Sequence, residues 1–169
     1  MIDEQLIALA TTLLDLCRSK KLKIATAESC TGGLVAATLT EVAGSSDVVE
    51  RGFVTYSNDA KEAMLHVPTA TLTRYGAVSR ETAVARADGA LARSPAVLAV
   101  SITGIAGPGG ATPDKPVGLV HFGAASRGGQ RLHRERRYGD IGRTEVRRAS
   151  VIDALELLRE LAEKEEARR

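Results

Sequence analysis

Two spacings of apolar residues alternate along the chain, and this alternation predicts an α/β fold. A first helix is predicted over residues 3–20, with Asp3 as its N-cap, because its leucines share one stripe: Leu6, Leu9, Leu13 and Leu16. Residues 22–27 follow as a short buried strand. A second helix is expected from Leu34 to about Gly44, because glycine is a natural helix terminator.

The next stretch, residues 48–56, has the composition of a strand but contains Glu50, Arg51 and Gly52, which predicts a bulge or an edge. A strand, helix, strand order predicts a right-handed parallel crossover. The ends of the two strands then lie on the same side of the sheet, where ligands of open α/β folds usually bind. Residues 96–102 are nearly unbroken aliphatic sequence and predict a central strand buried on both faces.

The remaining pattern completes a layered architecture. Ser79 is expected to cap a helix over residues 80–93. Residues 117–125 and 130–138 predict an antiparallel hairpin, and a last helix is expected from about Thr144. These elements predict an α/β fold in which helices pack over a sheet.

Composition narrows the class of protein. A length of 169 residues suits one domain, residues 1–169. The 23 basic and 21 acidic residues are well mixed, so the net charge of +2 indicates no polyanion-binding surface, and nucleic acid is not an expected partner. No apolar run reaches the length of a membrane span, and Asp3 and Glu4 stand where a signal peptide carries positive charge. We therefore expect a cytoplasmic protein without a membrane partner. Two cysteines and three scattered histidines predict no metal site.

The corner between the first strand and the second helix carries the most specific chemistry. Its residues 27–33 read Ala-Glu-Ser-Cys-Thr-Gly-Gly, and Thr31 is the predicted N-cap of the helix. Gly32 and Gly33 leave no side chain in front of the first helical N–H groups, which carry the positive end of the helix dipole. Such a corner binds an anion, or stabilises an oxyanion formed at a neighbouring nucleophile such as Ser29. It matches neither a Walker loop nor a dinucleotide fingerprint.

A lysine is expected to meet this corner from the end of the second strand. Tyr56 lies at that strand end, and Asn58 is predicted to cap a short helix with Lys61 in its first turn. The positive end of the dipole and burial in the cleft both lower the pKa of this lysine. A neutral lysine can accept the proton of Ser29, directly or through the tyrosine hydroxyl, as in serine-lysine hydrolases.

Two further segments are expected to bind a substrate phosphate. A glycine-rich loop over residues 103–110 follows the central strand and begins with Thr103 and Gly104. Long loops without structure of their own are often functional. Arg143 stands beside a glycine turn at the entrance of the last helix, which is a good position for an anion ligand.

Other reactive side chains have lesser expected roles. Cys30 is an alternative nucleophile, ranked below Ser29 because no partnered histidine accompanies it. His121 and His133 are expected to be structural. Glu28 accepts a hydrogen bond either from a substrate hydroxyl or from an amide at the start of the helix.

Long, ordered motifs run through nearly the whole chain: Ala-Glu-Ser-Cys-Thr-Gly-Gly at 27–33, Ala-Gly-Ser-Ser at 43–46, Arg-Gly-Phe-Val-Thr-Tyr-Ser-Asn at 51–58 with Lys61, Gly-Ala-Val-Ser at 76–79, Ser-Ile-Thr-Gly-Ile-Ala-Gly-Pro at 101–108 and Lys-Pro-Val-Gly at 115–118. They resemble the CinA C-terminal domain family. The resemblance implies a nicotinamide-nucleotide amidohydrolase of pyridine nucleotide recycling, which converts nicotinamide mononucleotide and water to nicotinate mononucleotide and ammonia.

The resemblance also implies a set of active-site residues, all present here: Ser29, Ser46, Tyr56, Lys61, Thr103 and Arg143. The nucleophile stays open between Ser29 and Ser46. Ser46 precedes the second strand and Tyr56 ends it, so the simple crossover separates them by the length of a strand and favours Ser29. Ser46 reaches the site if the strand starts late, if the chain bends at Gly52, or if a second subunit supplies it.

Further implications of the resemblance concern assembly and cofactors. It implies a three-layer α/β/α sandwich with a mixed, mostly parallel sheet, a homodimer, no metal and no cofactor. Many members of the family have an extra N-terminal domain, and because this chain begins almost at once with its first helix, we expect the stand-alone form. Two other hypotheses remain beside the amidohydrolase. One is a nucleotide-binding or regulatory module that keeps the anion pocket without turnover, and the other is a structural partner subunit.

Overall fold

Five strands form one sheet, in the order β2-β1-β3-β4-β5. The computed structural model describes residues 2–169, and the strands have these bounds: β1 (Ile24–Glu28), β2 (Val49–Val54), β3 (Leu98–Gly104), β4 (Leu119–Ser126) and β5 (Arg131–Arg137). β1 pairs in parallel with β2 and β3, whereas β4 runs antiparallel to β3 and β5. β4 alone therefore points against the other strands, and the sheet is mixed and mostly parallel.

Helices cover both faces of this sheet: α1 (Glu4–Lys20), α2 (Leu34–Thr40), α3 (Asn58–Leu65), α4 (Thr69–Tyr75), α5 (Arg80–Ala92) and α6 (Arg143–Lys164). α1, α2 and α6 pack against one another, and α3 and α4 pack against α5. Neighbouring residues of β3 show the two faces, because Ser101 donates to Ala83 of α5 while Ile102 belongs to the core cluster under α1 and α6. The predicted α/β sandwich is confirmed.

Local sequence signals account for most element boundaries. The caps predicted at Asp3 and Ser79 are confirmed, because their side-chain oxygens accept the amide protons of Leu6 and Thr82 at 3.0 and 3.2 Å. The predicted bulge is also present, since the register between β1 and β2 passes over Glu50. The second helix is shorter than predicted: it ends at Thr40, and the chain then turns through a 3₁₀ helix at Ser45–Asp47.

β3 and β4 form the buried centre of the molecule. Every residue of β4 and all but the last residue of β3 are buried, which confirms the central strand predicted near residues 96–102. In residues 2–169, no helix combines the length and the apolar character needed to cross a bilayer.

The packing of α3 on α5 sets the positions of Lys61 and Arg86. A Cβ atom added at Gly89 of α5 would lie 2.1 Å from the carbonyl oxygen of Leu65 in α3, so only glycine permits this approach. Leu65 lies one turn after Lys61, and Gly89 lies one turn after Arg86. The close contact therefore brings the Lys61 and Arg86 side chains toward the same end of the sheet.

We predict that Gly89→Ala lowers the free energy of unfolding by about 2 kcal/mol, because the added methyl forces α3 and α5 apart. This loss exceeds the roughly 1 kcal/mol by which alanine is the better helix former. Denaturant unfolding measures the change. The matched control is Gly109→Ala, where an added Cβ meets no atom within 4 Å, and its effect should stay within about 0.5 kcal/mol. Equal stability of the two variants would contradict the packing argument.

Candidate active site

Ser29 and Lys61 meet at the carboxyl ends of the parallel strands. Ser29 directly follows β1 and is buried. The amide of Thr55, just after β2, donates to the Glu28 carbonyl at 2.9 Å, which ties the two strand ends together. α3 starts immediately beyond this point, and the Lys61 amine lies 3.4 Å from the Ser29 hydroxyl. The structure thus brings these two side chains together within one chain.

Backbone carbonyls surround the Lys61 amine. Its Nζ donates to the carbonyl oxygens of Thr55 at 3.0 Å and Tyr56 at 2.9 Å, with the Ser57 carbonyl more distant at 3.5 Å. Only 1% of the side chain is exposed. Burial, with a smaller contribution from the positive charge of Arg86, lowers the pKa of Lys61 to about 8. A substantial fraction of the amine is therefore neutral near physiological pH.

The cap of α3 differs from the prediction. Ser57, not Asn58, is the N-cap, and its hydroxyl accepts the Ala60 amide proton at 3.0 Å. Ser57 has the extended backbone of an N-cap, with φ −81° and ψ 162°, whereas Asn58 is already the first helical residue. Lys61 nevertheless stays in the first turn, as the sequence predicts.

The start of α2 is not the open row of amides that the glycines suggest. Glu28 accepts the amide protons of Val35 at 2.8 Å and Ala36 at 3.0 Å, so its carboxylate caps the helix from inside the core. The prediction of Thr31 as N-cap is wrong: Gly33 occupies that position with φ 100°, and the Thr31 hydroxyl is buried without a partner. The helical amides beyond Gly33 are consequently unavailable to a ligand.

The turn that precedes α2 offers a smaller set of donors. The Gly32 amide donates to the Ser29 carbonyl at 2.9 Å, and within residues 2–169 the amides of Cys30 and Thr31 donate to no backbone carbonyl. Arg147 of α6 fixes this turn by donating to the Cys30 and Thr31 carbonyls, each at 3.1 Å. The donors that remain near Ser29 thus belong to the turn itself.

Tyr56, Arg143 and the glycine-rich loop form the outer wall of the site. One guanidinium nitrogen of Arg143 donates to the Gly107 carbonyl at 2.8 Å, and the other donates to the Tyr56 hydroxyl at 3.2 Å. The Tyr56 hydroxyl therefore faces Arg143, while the carbonyl of the same residue faces Lys61. In this arrangement the tyrosine does not relay a proton between Lys61 and Ser29. Tyr56 and Arg143 are both exposed, so this wall is open to solvent.

Thr103 and Gly104 support the loop rather than line an open cleft. The Thr103 hydroxyl donates to the Ala77 carbonyl at 2.7 Å and is 1% exposed. A Cβ at Gly104 would lie 2.6 Å from the Val120 side chain, so this glycine allows β3 and β4 to pack closely. Both residues lie at the same end of the sheet as Ser29. The Thr103 hydroxyl is already bound to a backbone carbonyl, and Gly104 is packed against Val120, so neither presents a free group to a ligand.

Ser46 lies near the amino ends of the parallel strands, at the other end of the sheet from Lys61. It belongs to the 3₁₀ helix before β2, is exposed, and its carbonyl is 3.5 Å from the amine of Lys23, which precedes β1. The length of β2 separates the two ends of the sheet by roughly 20 Å. Within one chain, therefore, Ser46 and Lys61 are not brought together.

The other reactive groups behave as buried, unreactive side chains. Burial raises the pKa of the Cys30 thiol to about 11, so the thiolate required of a nucleophile is scarce at neutral pH. His121 and His133 lie on adjacent strands with ring nitrogens 2.9 Å apart, and burial lowers the pKa of both. These contacts agree with a structural role for the pair.

Sequence reasoning missed two arginines of this region. Arg86 is fully buried in α5 and contacts the ends of the strands, and Arg147 of α6 donates to the turn that precedes α2. The alanine-rich pattern around Arg86 contained the available signal, because a lone arginine on the apolar side of a helix is rarely solvated.

The sequence of the chain is similar to those of known proteins. The CinA C-terminal domain matches residues 6–162 of the chain. A CinA-like protein of Chlorobium phaeovibrioides is 57% identical over 120 residues, which are 71% of this chain and 28% of that protein. A CinA-like protein of Synechococcus sp. is 49% identical over 153 residues, 90% of this chain and 36% of that protein. The chain thus spans about a third of the length of these curated relatives.

Solved structures extend the same comparison to the fold. The competence/damage inducible protein CihA of Agrobacterium tumefaciens has a TM-score of 0.94 at 57% identity, covering 95% of this chain and 98% of that one. A CinA superfamily protein of Klebsiella pneumoniae has a TM-score of 0.88 at 32% identity, covering 94% of this chain and 98% of that one. With the family match over most of its length, the chain belongs to the CinA C-terminal domain family.

Proposed function

We propose that the chain is an amidohydrolase that converts nicotinamide mononucleotide to nicotinate mononucleotide and ammonia, with Ser29 as nucleophile and Lys61 as general base. One observation carries the proposal: a buried amine whose pKa is lowered to about 8 lies 3.4 Å from a serine hydroxyl. The choice of substrate comes from the motifs shared with the CinA C-terminal domain family. The reaction type comes from the serine and the lysine.

The hydrogen bonds of Lys61 support the direction of proton transfer. A neutral amine has two protons and one lone pair. The carbonyls of Thr55 and Tyr56 accept the two protons at 3.0 and 2.9 Å, and the remaining direction leads to the Ser29 hydroxyl. The lone pair is thereby held toward the hydroxyl proton. The amine needs no reorientation to accept it, which favours general-base catalysis.

The reaction then proceeds by two acyl transfers. Ser29 Oγ attacks the carboxamide carbon as its proton passes to Lys61, and the resulting ammonium gives that proton to the departing amide nitrogen, which leaves as ammonia. Water, deprotonated by the same amine, hydrolyses the acyl ester and regenerates the serine. The free amides of Cys30 and Thr31 are the candidates for oxyanion donors, because Cys30 directly follows the nucleophile.

Arg143 is the proposed phosphate ligand. Its guanidinium is exposed, and its two hydrogen bonds hold it beside Tyr56 and the glycine-rich loop at the mouth of the site. A guanidinium presents several donors in a fixed plane and binds phosphate bidentately. Phosphate binding at the mouth directs the nicotinamide ring inward, toward Ser29.

The alternative is a nucleotide-binding or regulatory module with the same anion pocket and no turnover. It predicts a thermal shift with mononucleotides but no ammonia release. The buried lysine favours hydrolysis over this alternative, because a pocket that only binds phosphate gains nothing from an amine with a lowered pKa. Incubation of the chain with nicotinamide mononucleotide, followed by an ammonia assay, distinguishes the two functions.

Replacement of Lys61 tests the general base. We expect Lys61→Met to lower kcat about 10³-fold while the protein stays folded, because a buried charge is often replaced by an apolar group at little cost. In the unmodified chain, kcat should rise about tenfold per pH unit below pH 8 and then reach a plateau, since only the neutral amine accepts the proton. A rate that falls as pH rises from 6 to 8, or a fully active Lys61→Met variant, would remove the lysine from the mechanism.

Replacement of Ser29 tests the nucleophile against its neighbour. Ser29→Ala should lower kcat about 10³-fold or more, whereas Cys30→Ala should stay within about threefold, because the Cys30 thiol is protonated at neutral pH. A steady-state ammonia assay measures both variants. The assignment fails if Cys30→Ala is the inactive one.

The dimer expected from the family resemblance gives Ser46 a role. β2 is an edge strand, and the large apolar side chains of Val54 and Tyr56 are 47% and 61% exposed. In a two-fold antiparallel pairing of two β2 edges, the start of one strand lies beside the end of the other. We propose that such a dimer places Ser46 of one copy beside Tyr56 of the other. Each site would then contain residues of both chains.

Complementation tests this shared site. Ser29→Ala and Ser46→Ala should each be nearly inactive alone, and their mixture, refolded together, should regain about a quarter of the activity. Half of the dimers are then mixed, and each mixed dimer has one complete site. A control mixture of Ser29→Ala with Lys61→Met should remain inactive, because both of those residues belong to the same chain's half of the site. Full activity of Ser46→Ala would exclude Ser46 from the reaction.

A further inference from the structure

Arg86 is the largest fully buried side chain, and it lies behind the proposed site. Its guanidinium donates to the Ile102 carbonyl at 2.6 Å, to the Ala27 carbonyl at 3.0 Å and to the Thr55 hydroxyl at 3.0 Å. These three acceptors belong to the ends of β3, β1 and β2. One side chain from α5 thus contacts the carboxyl ends of all three parallel strands.

This arrangement is energetically unusual. A buried arginine is ordinarily paired with a carboxylate, because an uncompensated charge in the interior costs several kcal/mol. Among residues 2–169, no ion pair includes Arg86 or Lys61, and the Arg86 Nε has no acceptor. If its only role were to hold strand ends, a neutral donor could replace it at lower cost. We therefore expect a role for the positive charge of Arg86 itself, beyond its hydrogen bonds to the strand ends.

We propose that Arg86 is a positioning residue for the hydrolysis, whose positive charge favours the neutral form of the Lys61 amine and whose hydrogen bond to Thr55 fixes the direction of that amine. The inference rests on the proposed function, in which Lys61 is the general base. Arg86 touches neither the serine nor the substrate, and it acts only through Lys61 and Thr55.

Thr55 links the two cations. Its hydroxyl accepts from Arg86 at 3.0 Å, and its carbonyl accepts from Lys61 at 3.0 Å. The guanidinium therefore fixes the residue that receives one of the two amine protons, and through it the direction of the lone pair toward Ser29. The same short path lets the charge of Arg86 act on the amine in an interior that screens charge poorly.

The other titratable groups near Lys61 offset the charge of Arg86 only in part. Cys30, after β1, has a thiol pKa raised to about 11 by burial and is protonated at neutral pH. Glu28, at the end of β1, accepts two amide protons of α2, and its charge raises the pKa of Arg86 and so stabilises the guanidinium. The Tyr56 hydroxyl faces Arg143 of α6, which adds a further positive charge on the outer side. Burial lowers the pKa of Arg86 only to about 10, so Arg86 is still charged when Lys61 loses its proton.

Arg86→Gln removes the charge and keeps donors for part of the hydrogen-bond set. We expect the Lys61 titration to move upward by about one pH unit, which lowers the neutral fraction and kcat about tenfold at pH 7. At pH 10 the deficit in kcat should largely disappear, because the amine is then neutral in both proteins. The matched control is Arg80→Gln, which removes an exposed arginine from the same helix and should leave the Lys61 titration unchanged.

The pH profile separates this role from a purely structural one. If Arg86 is only a clamp, Arg86→Gln lowers the melting temperature and lowers kcat by the same factor at pH 7 and pH 10. That result, with an unmoved Lys61 titration, overturns the proposal. Recovery at pH 10 supports it, whatever the loss of thermal stability.

The titration is followed by NMR of protein labelled with ¹⁵N at lysine and arginine side chains, which needs no turnover. Should Arg86→Gln not fold, the unmodified chain decides: the Arg86 guanidinium must stay protonated throughout the Lys61 transition near pH 8. Loss of the Arg86 proton before that of Lys61 overturns the proposal. The NMR titration reports the Lys61 amine directly and does not depend on turnover. A chain that releases no ammonia would therefore refute the proposed hydrolysis, whereas the coupling between Arg86 and Lys61 is decided by the titration alone.

Discussion

The burial of the Lys61 amine among backbone carbonyls is the interaction on which the proposed chemistry of this protein depends. An exposed lysine is almost fully protonated at neutral pH and cannot accept a proton. Here the side chain is 1% exposed, and burial lowers its pKa to about 8. The carbonyls of Thr55 and Tyr56 are its two nearest acceptors, and the Ser29 hydroxyl lies 3.4 Å from the amine. The lowered pKa and the geometry arise from the same contacts.

The architecture supplies those contacts because the carboxyl ends of β1, β2 and β3 meet at one edge of the sheet. Chain segments leaving parallel strands have carbonyl groups that no longer pair with a neighbouring strand, and these groups can accept hydrogen bonds from side chains. Lys61 and Arg86 approach this edge from α3 and α5, which Gly89 allows to pack closely. The opposite face of the sheet supplies the apolar support, through α1, α2 and α6.

This site reduces the stability of the fold. The pKa of Lys61 is about 8 in the folded chain and 10.5 when unperturbed, so between these values the unfolded chain binds a proton that the folded chain does not. The free energy of unfolding therefore rises with pH through this window, and below pH 8 the buried lysine costs about 3 kcal/mol. Such a cost is typical of residues retained for chemistry rather than for stability. Glu28 offsets part of it by capping α2 from within the core.

The sequence alone determined the layered fold, because apolar periodicity depends only on which face of each helix or strand is buried. It also determined the caps at Asp3 and Ser79, since both depend on contacts within one turn. Tertiary structure decided the rest of the site. The local sequence predicts Thr31 as the cap of α2, but in the folded chain Glu28, seven residues before Val35, accepts the helical amide protons instead. Arg86 looked like one more charge on an alanine-rich helix, because only the assembled sheet places three acceptors around its guanidinium.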